Sequence, residues 1–203
     1  MTIALEIDRL TCVRARRVLF ESLSLAVPAG TFVALEGPNG AGKTSLLRVV
    51  AGFLAPAAGT VRLRTQDAML VEAEDRALHV GWLGHQDGVK PQLTVGAQLG
   101  FWSRLYGSGD PSAALAAFEL QALAELPGQF LSAGQKRRLA MARLSLTGRP
   151  LWLLDEPLAA LDTAAKALVA AAIGTHCAAG GIAIAATHEP LGLDGQILRL
   201  GAA

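Results

Sequence analysis

The chain has 203 residues, 52% of them apolar and 17% charged, with a net charge of +1. That is enough apolar residue for a full core, and too little basic charge for a nucleic-acid footprint, so no nucleic-acid partner is expected. Cys12 and Cys177 match no metal-ligand spacing and predict reduced thiols, the acid-bearing N-terminus lacks a signal-peptide core, and no run reaches the ~18 apolar residues of a membrane span. Ile3–Val13 and Val18–Val27 alternate apolar with polar and predict two strands, joined by a turn at Arg14–Arg17. Thr31–Glu36 predicts a third strand, and Thr44–Val50 a helix closed by Gly52. Gly59–Arg64 and Val80–His85 predict strands. From Gln86 to about Thr147 the texture turns helical, over Leu93–Tyr106, Pro111–Ala124 and Leu131–Leu146. Leu151–Leu154 and Gly181–Thr187 are continuous apolar runs, as parallel strands covered on both faces require. Asp162 caps a predicted helix reaching about Ala178, and Ile197–Leu200 is a short last strand.

The strongest chemical signal is Gly37-Pro38-Asn39-Gly40-Ala41-Gly42-Lys43-Thr44, followed by Ser45, set between a strand and a helix. In that context G-x-x-x-x-G-K-[ST] is a phosphate-binding loop. Backbone N–H groups at the helix start face the anion, Lys43 adds a point charge, and the Thr44 hydroxyl is a Mg²⁺ ligand. The strand Leu151–Leu154 ends in Asp155 and Glu156. With a phosphate loop present, Asp155 is the metal-side carboxylate and Glu156 the general base for the attacking water. Ser132 and Gln135 have capping-box spacing and mark a helix N-terminus, either as a plain cap or as a second anion site. Gln86 follows a strand and is either a loop amide or an oxygen ligand for Mg²⁺. His188 follows another strand and is either a loop residue or a hydrogen-bond partner of a γ-phosphate. The basic run Lys136–Arg138 predicts a solvated helix face.

In order, these segments resemble the nucleotide-binding cassette of ABC transporters, over nearly the whole chain. Gly37–Thr44 resembles the Walker A motif, Gln86 the Q-loop glutamine, and Leu131–Gln135 the signature motif. Leu151–Glu156 resembles Walker B, Leu158–Asp162 the D-loop, and His188 the switch histidine. The resemblance implies an α/β fold: a phosphate-loop NTPase core of the cassette type with an antiparallel β subdomain and a helical insert. It implies one nucleotide-binding domain over residues 1–203, with core and β subdomain in 1–86 and 148–203 and a helical subdomain in 87–147. It implies ATP and Mg²⁺ as ligands, and a head-to-tail dimer in which Ser132 and Gly134 of a second copy reach the γ-phosphate. Integral membrane subunits are the implied partners, which would place the chain peripherally on the cytoplasmic face of the bacterial inner membrane. Asp162 joins the implied nucleotide site through the D-loop.

Two features depart from the family pattern. Ala133 stands where the signature usually has glycine. The first hairpin has no aromatic residue to stack on adenine, so Arg14 is either a guanidinium platform for the base or a solvated turn residue. Trp82-Leu-Gly-His85-Gln86, Leu-Ser-Ala-Gly-Gln before Lys136-Arg-Arg138, and the arginine-rich hairpin resemble the ATP-binding subunits of bacterial cytochrome c maturation systems, often described as haem exporters. This implies a transport-coupled ATPase acting in haem export or in release of haem from its carrier. The alternatives are an ATPase subunit of another small-substrate transporter, a soluble ABC-type ATPase, and a nucleotide-binding module without turnover.

Overall fold

The computed structural model describes residues 3–201. They fall into two compact units. One comprises the chain up to Trp82, Arg149–Asp155 and everything from Gly174; the other comprises Leu83–Gly148 and Glu156–Ile173.

The first unit opens with a hairpin of β1 (Ala4–Arg14) and β2 (Arg17–Val27). Its two-residue turn holds Ala15 and Arg16 at φ 47° and 63°, the left-handed pair that matches strand twist. β3 (Phe32–Glu36) leads into α1 (Lys43–Val50), and β4 (Ala58–Arg64) then pairs antiparallel with β1. β5 (Met69–Leu70), α2 (Ala73–Ala77) and β6 (Val80–Leu83) follow. The antiparallel sheet has the order β2-β1-β4-β5. Alternation along β1 buries Leu5 and Ile7 and then, past a register shift between Ile7 and Leu10, buries Leu10 and Cys12.

The second sheet of this unit contains β6, β3 and three later strands: β7 (Leu151–Asp155), β8 (Ile182–Ala186) and β9 (Gln196–Arg199). Its order is β6-β7-β8-β3-β9, with parallel pairing at β7–β8, β8–β3 and β3–β9. Every residue of β7 and β8 is buried, as continuous apolar runs demand. A single core joins Leu5 and Leu63 of the antiparallel sheet to Leu35, Leu153 and Ile184 of the parallel one, with Leu47 and Val50 of α1 between. Asp155 and Leu35 both lie in register with Ala186, so β3 and β7 end at one edge of the sheet. Open α/β sheets bind ligands beyond that carboxyl edge.

The second unit contains α3 (Val95–Tyr106), α4 (Pro111–Ala117) and α5 (Ala133–Ser145), and α6 (Thr163–Ala178) begins in it. Leu99, Phe118, Leu120 and Met141 are completely buried. The α/β class expected from the sequence, with an antiparallel sheet, a parallel sheet and a helical unit, is the one observed.

Several boundaries differ from the sequence pattern. Helix α4 stops at Ala117 rather than Ala124, with Glu119 left-handed at φ 51° and a short 3₁₀ turn over Gln121–Leu123. Phe118 and Leu120 are both 0% exposed, and residues two apart point to opposite sides of a helix. Burying both therefore requires leaving it. The strand expected to reach His85 ends at Leu83. Strand β5 and helix α2 are too short for a periodic signal; α2 is pinned by the buried Arg76, whose guanidinium donates to the carbonyls of Val61 and Val71.

Candidate nucleotide site

Strand β3 delivers Gly37 at φ 143°, where a Cβ would stand 2.4 Å from the Leu200 carbonyl oxygen. Only glycine fits there. Gly42 caps α1 at φ 101° and packs against the hairpin, a Cβ at this position meeting Leu19 Cβ at 3.1 Å and Phe20 Cδ1 at 3.2 Å. No side chain caps α1 and no acid occupies its first turn, an arrangement that suits an anion at this helix start. Pro38, Asn39 and Gly40 are exposed; Ala41 and Ser45 are half-buried. Lys43 is 8% exposed, and its ammonium donates to the carbonyls of Gly37 (2.6 Å) and Pro38 (3.2 Å). The positive charge thus lies inside the ring of the loop.

Thr44 Oγ1 donates to Asp155 Oδ1 at 3.0 Å, joining the loop to the end of β7. A hydroxyl and a carboxylate are hard oxygen donors that suit Mg²⁺. Among the described residues there is no cluster of three or more His, Cys, Asp or Glu. A cation here would complete its shell with phosphate and water oxygens, which is the usual Mg²⁺ arrangement. His188 is exposed at a turn stabilised by Thr187, whose hydroxyl accepts from the Glu189 N–H at 3.1 Å. His188 and Gly37 line one cavity of about 470 Å³ with Glu36 and Glu189. Arg14 is exposed at the end of β1, in register with Arg17.

The remaining candidates lie in the second unit. Gln86 is exposed in the loop between β6 and α3. Ser132 caps α5 through the predicted box: its hydroxyl accepts from the Gln135 N–H at 3.2 Å, and Gln135 Oε1 accepts from the Ser132 N–H at 2.8 Å. Ala133 is exposed. Gly134 sits against the Leu158–Asp162 segment, where a Cβ would come 2.8 Å from the Ala160 carbonyl oxygen. Asp162 caps α6 by accepting from the Ala165 N–H at 2.8 Å. Glu156 adopts φ 54°, an uncommon conformation for a residue with a Cβ. Its carbonyl oxygen accepts from Arg137 Nη2 at 2.5 Å.

Arg137 corrects the reading of Lys136–Arg138 as a solvated face: it is 3% exposed. The missed signal is helical. Arg137 shares a stripe with Ala140, Met141 and Leu144, all buried, at the i, i+3, i+4, i+7 spacing of an inward face.

The ABC transporter family model matches residues 20–159. The chain belongs to the ABC transporter ATP-binding family. Like the cassettes of that family, it is an ATPase. Its relatives include the cytochrome c biogenesis ATP-binding export protein CcmA of Nitrobacter winogradskyi, 50% identical over 196 residues and covering 96% of each chain. The CcmA of Rhodopseudomonas palustris is 47% identical over 197 residues, again 96% of each chain. That of a Ruegeria species is 46% identical over 197 residues, 97% of this cassette and 91% of the relative. Among solved structures, an ABC transporter ATP-binding protein of Pyrococcus furiosus superposes with a TM-score of 0.83 at 26% identity, covering 97% of both chains. The subfamily resemblance of the motifs therefore extends along the whole cassette. No helix among the described residues is long and apolar enough to cross a membrane.

Proposed function

We propose that this cassette is the ATP-hydrolysing subunit of a membrane transporter serving cytochrome c maturation, in haem export or in release of haem from its carrier. The observation that carries the reading is the phosphate loop with its uncapped helix and its Thr44–Asp155 hydrogen bond of 3.0 Å; the names of relatives such as the Nitrobacter protein supply the system. Residues 1–203 act as one nucleotide-binding domain, with 87–147 as its helical subdomain. The chain lies peripherally on the cytoplasmic face of the inner membrane, bound to integral membrane subunits through the Gln86 loop and the helical subdomain.

Gly37–Ser45 hold the phosphates through backbone N–H groups and the Lys43 ammonium. Arg14 stacks on the adenine. Thr44, Asp155 and Gln86 would hold Mg²⁺, which when bound would neutralise phosphate charge. Ser132 and Gly134 of a second copy close over the γ-phosphate, with Asp162 beside the shared site. Glu156 accepts a proton from water as its oxygen attacks the γ-phosphorus and the bond to the β-phosphate bridging oxygen breaks. Lys43 and His188 stabilise the charge on the transferring group.

In Glu156→Gln, ATP affinity stays near the parent value while kcat falls by at least about a hundredfold, the usual worth of a general base. Equilibrium binding and phosphate release measure the two. Parent-like turnover in that variant would remove Glu156 from the role.

A further inference from the structure

Arg137 is a buried cation on the helix that begins at the signature loop, and Gly84, Asp87 and Glu156, to which it donates, belong to the same compact unit. Nη1 donates to the Gly84 carbonyl and to Asp87 Oδ1, both at 2.8 Å. Nη2 donates to the Glu156 carbonyl at 2.5 Å. Gly84 and Asp87 bracket Gln86 from either side. One planar fork therefore spans the signature helix, the Gln86 loop and the backbone of Glu156.

The chemistry of the fork makes these three segments interdependent. A guanidinium does not deprotonate in proteins, so the charge is permanent. Buried, it requires its carboxylate partner, and the cost of parting the two is large. The bond to the Glu156 carbonyl is charge-assisted, and it falls on a residue held at φ 54°. A shift of the Gln86 loop moves Asp87 and Gly84, and the rigid fork carries that shift to the peptide that aims the Glu156 side chain.

We infer that Arg137 is a positioning residue that sets the orientation of Glu156 according to the position of the Gln86 loop. This rests on Glu156 as the base. The sequence pattern offered no such role, because a basic run after a helix cap reads as solvated surface.

The test uses the intact membrane complex with Arg137→Lys, Asp87→Asn and the reciprocal pair Arg137→Asp with Asp87→Arg. Lysine keeps the charge but lacks the fork. In Arg137→Lys, kcat falls by about tenfold or more while the KM for ATP stays within about twofold, the pattern of a misplaced group rather than lost binding. Asp87→Asn gives the same pattern to a smaller degree. The reciprocal pair restores the opposite charges but not the bond to Glu156, so its thermal midpoint recovers towards the parent and its kcat does not. Unchanged kcat in Arg137→Lys overturns the inference, as does recovery of kcat together with the midpoint. Unchanged kcat in Asp87→Asn overturns the link to the Gln86 loop. If Glu156→Gln is inactive while Arg137→Lys turns over normally, this inference fails alone; if Glu156→Gln turns over normally, the base assignment fails.

Discussion

His176 lies flat against Trp152, with ring centroids 4.0 Å apart and 9° between the planes. Its Nε2 faces the carbonyls of Pro150 and Ile182 at 3.1 and 3.2 Å. Burial pushes its pKa below the ordinary histidine range, and the two backbone hydrogen bonds oppose the shift without cancelling it. The folded ring stays neutral at a pH where the unfolded chain already takes up a proton, near 6.5. The unfolded state thus binds more protons as pH falls below that value, and stability is lost with it; above it the contribution is complete. Thermal unfolding followed between pH 7.5 and pH 5.5 therefore shows a falling midpoint in the parent and a shallower fall in His176→Gln. Identical slopes in the two proteins would remove His176 as the source. The neighbouring Gly181 leaves the ring its space, since a Cβ there would come 2.3 Å from Nε2.

At the scale of an element, the start of α5 places different demands on two neighbouring residues. Gly134 is required by its own chain, because a methyl there presses on the Ala160 backbone at 2.8 Å, where φ is 61°. Ala133 is exposed, so its methyl stands at the surface of its own chain. Gly134→Ala is expected to lower stability by about 1–3 kcal/mol, the range of overpacking. Ala133→Gly is expected to lower it by no more than about 1 kcal/mol, the helix-propensity difference. Denaturant unfolding of both variants checks the contrast, and equal losses would contradict it. The cap itself was legible, because Ser132 and Gln135 need only local spacing to satisfy each other. The loop Gly37–Thr44 was legible from its spacing between a strand and a helix, although two of its glycines answer to remote neighbours, Gly37 to Leu200 and Gly42 to Leu19 and Phe20. Arg137 was not, because its partners Gly84 and Glu156 are remote in sequence and residue type alone places arginine on the surface. The early end of α4 was hidden likewise, since the burial of both Phe118 and Leu120 is decided by tertiary packing.

At the scale of the whole molecule, the phosphate loop belongs to the first unit and the signature loop to the second, and the proposed turnover needs both at one γ-phosphate. A net charge of +1 puts little long-range repulsion between two copies. If ATP bridges them, a chain that binds but does not cleave it accumulates as a pair, because the closed state is the one the ligand binds better. Glu156→Gln with saturating ATP and Mg²⁺ is therefore expected to run in light scattering at twice the mass of the 21.0 kDa chain, and at that single mass with ADP. Adding Ser132→Arg to Glu156→Gln places a long side chain at the exposed cap and abolishes the pair while ATP still binds Gly37–Thr44. Loss of the cap alone costs about 1 kcal/mol, so Ser132→Ala in the same background is the control that removes the bond without adding bulk. The pair weakens in that control but is not abolished, because Gly134 and the helix start remain. A single-copy mass for Glu156→Gln at saturating ATP, or pairing undisturbed by Ser132→Arg, would mean that the second copy contributes nothing to the pocket.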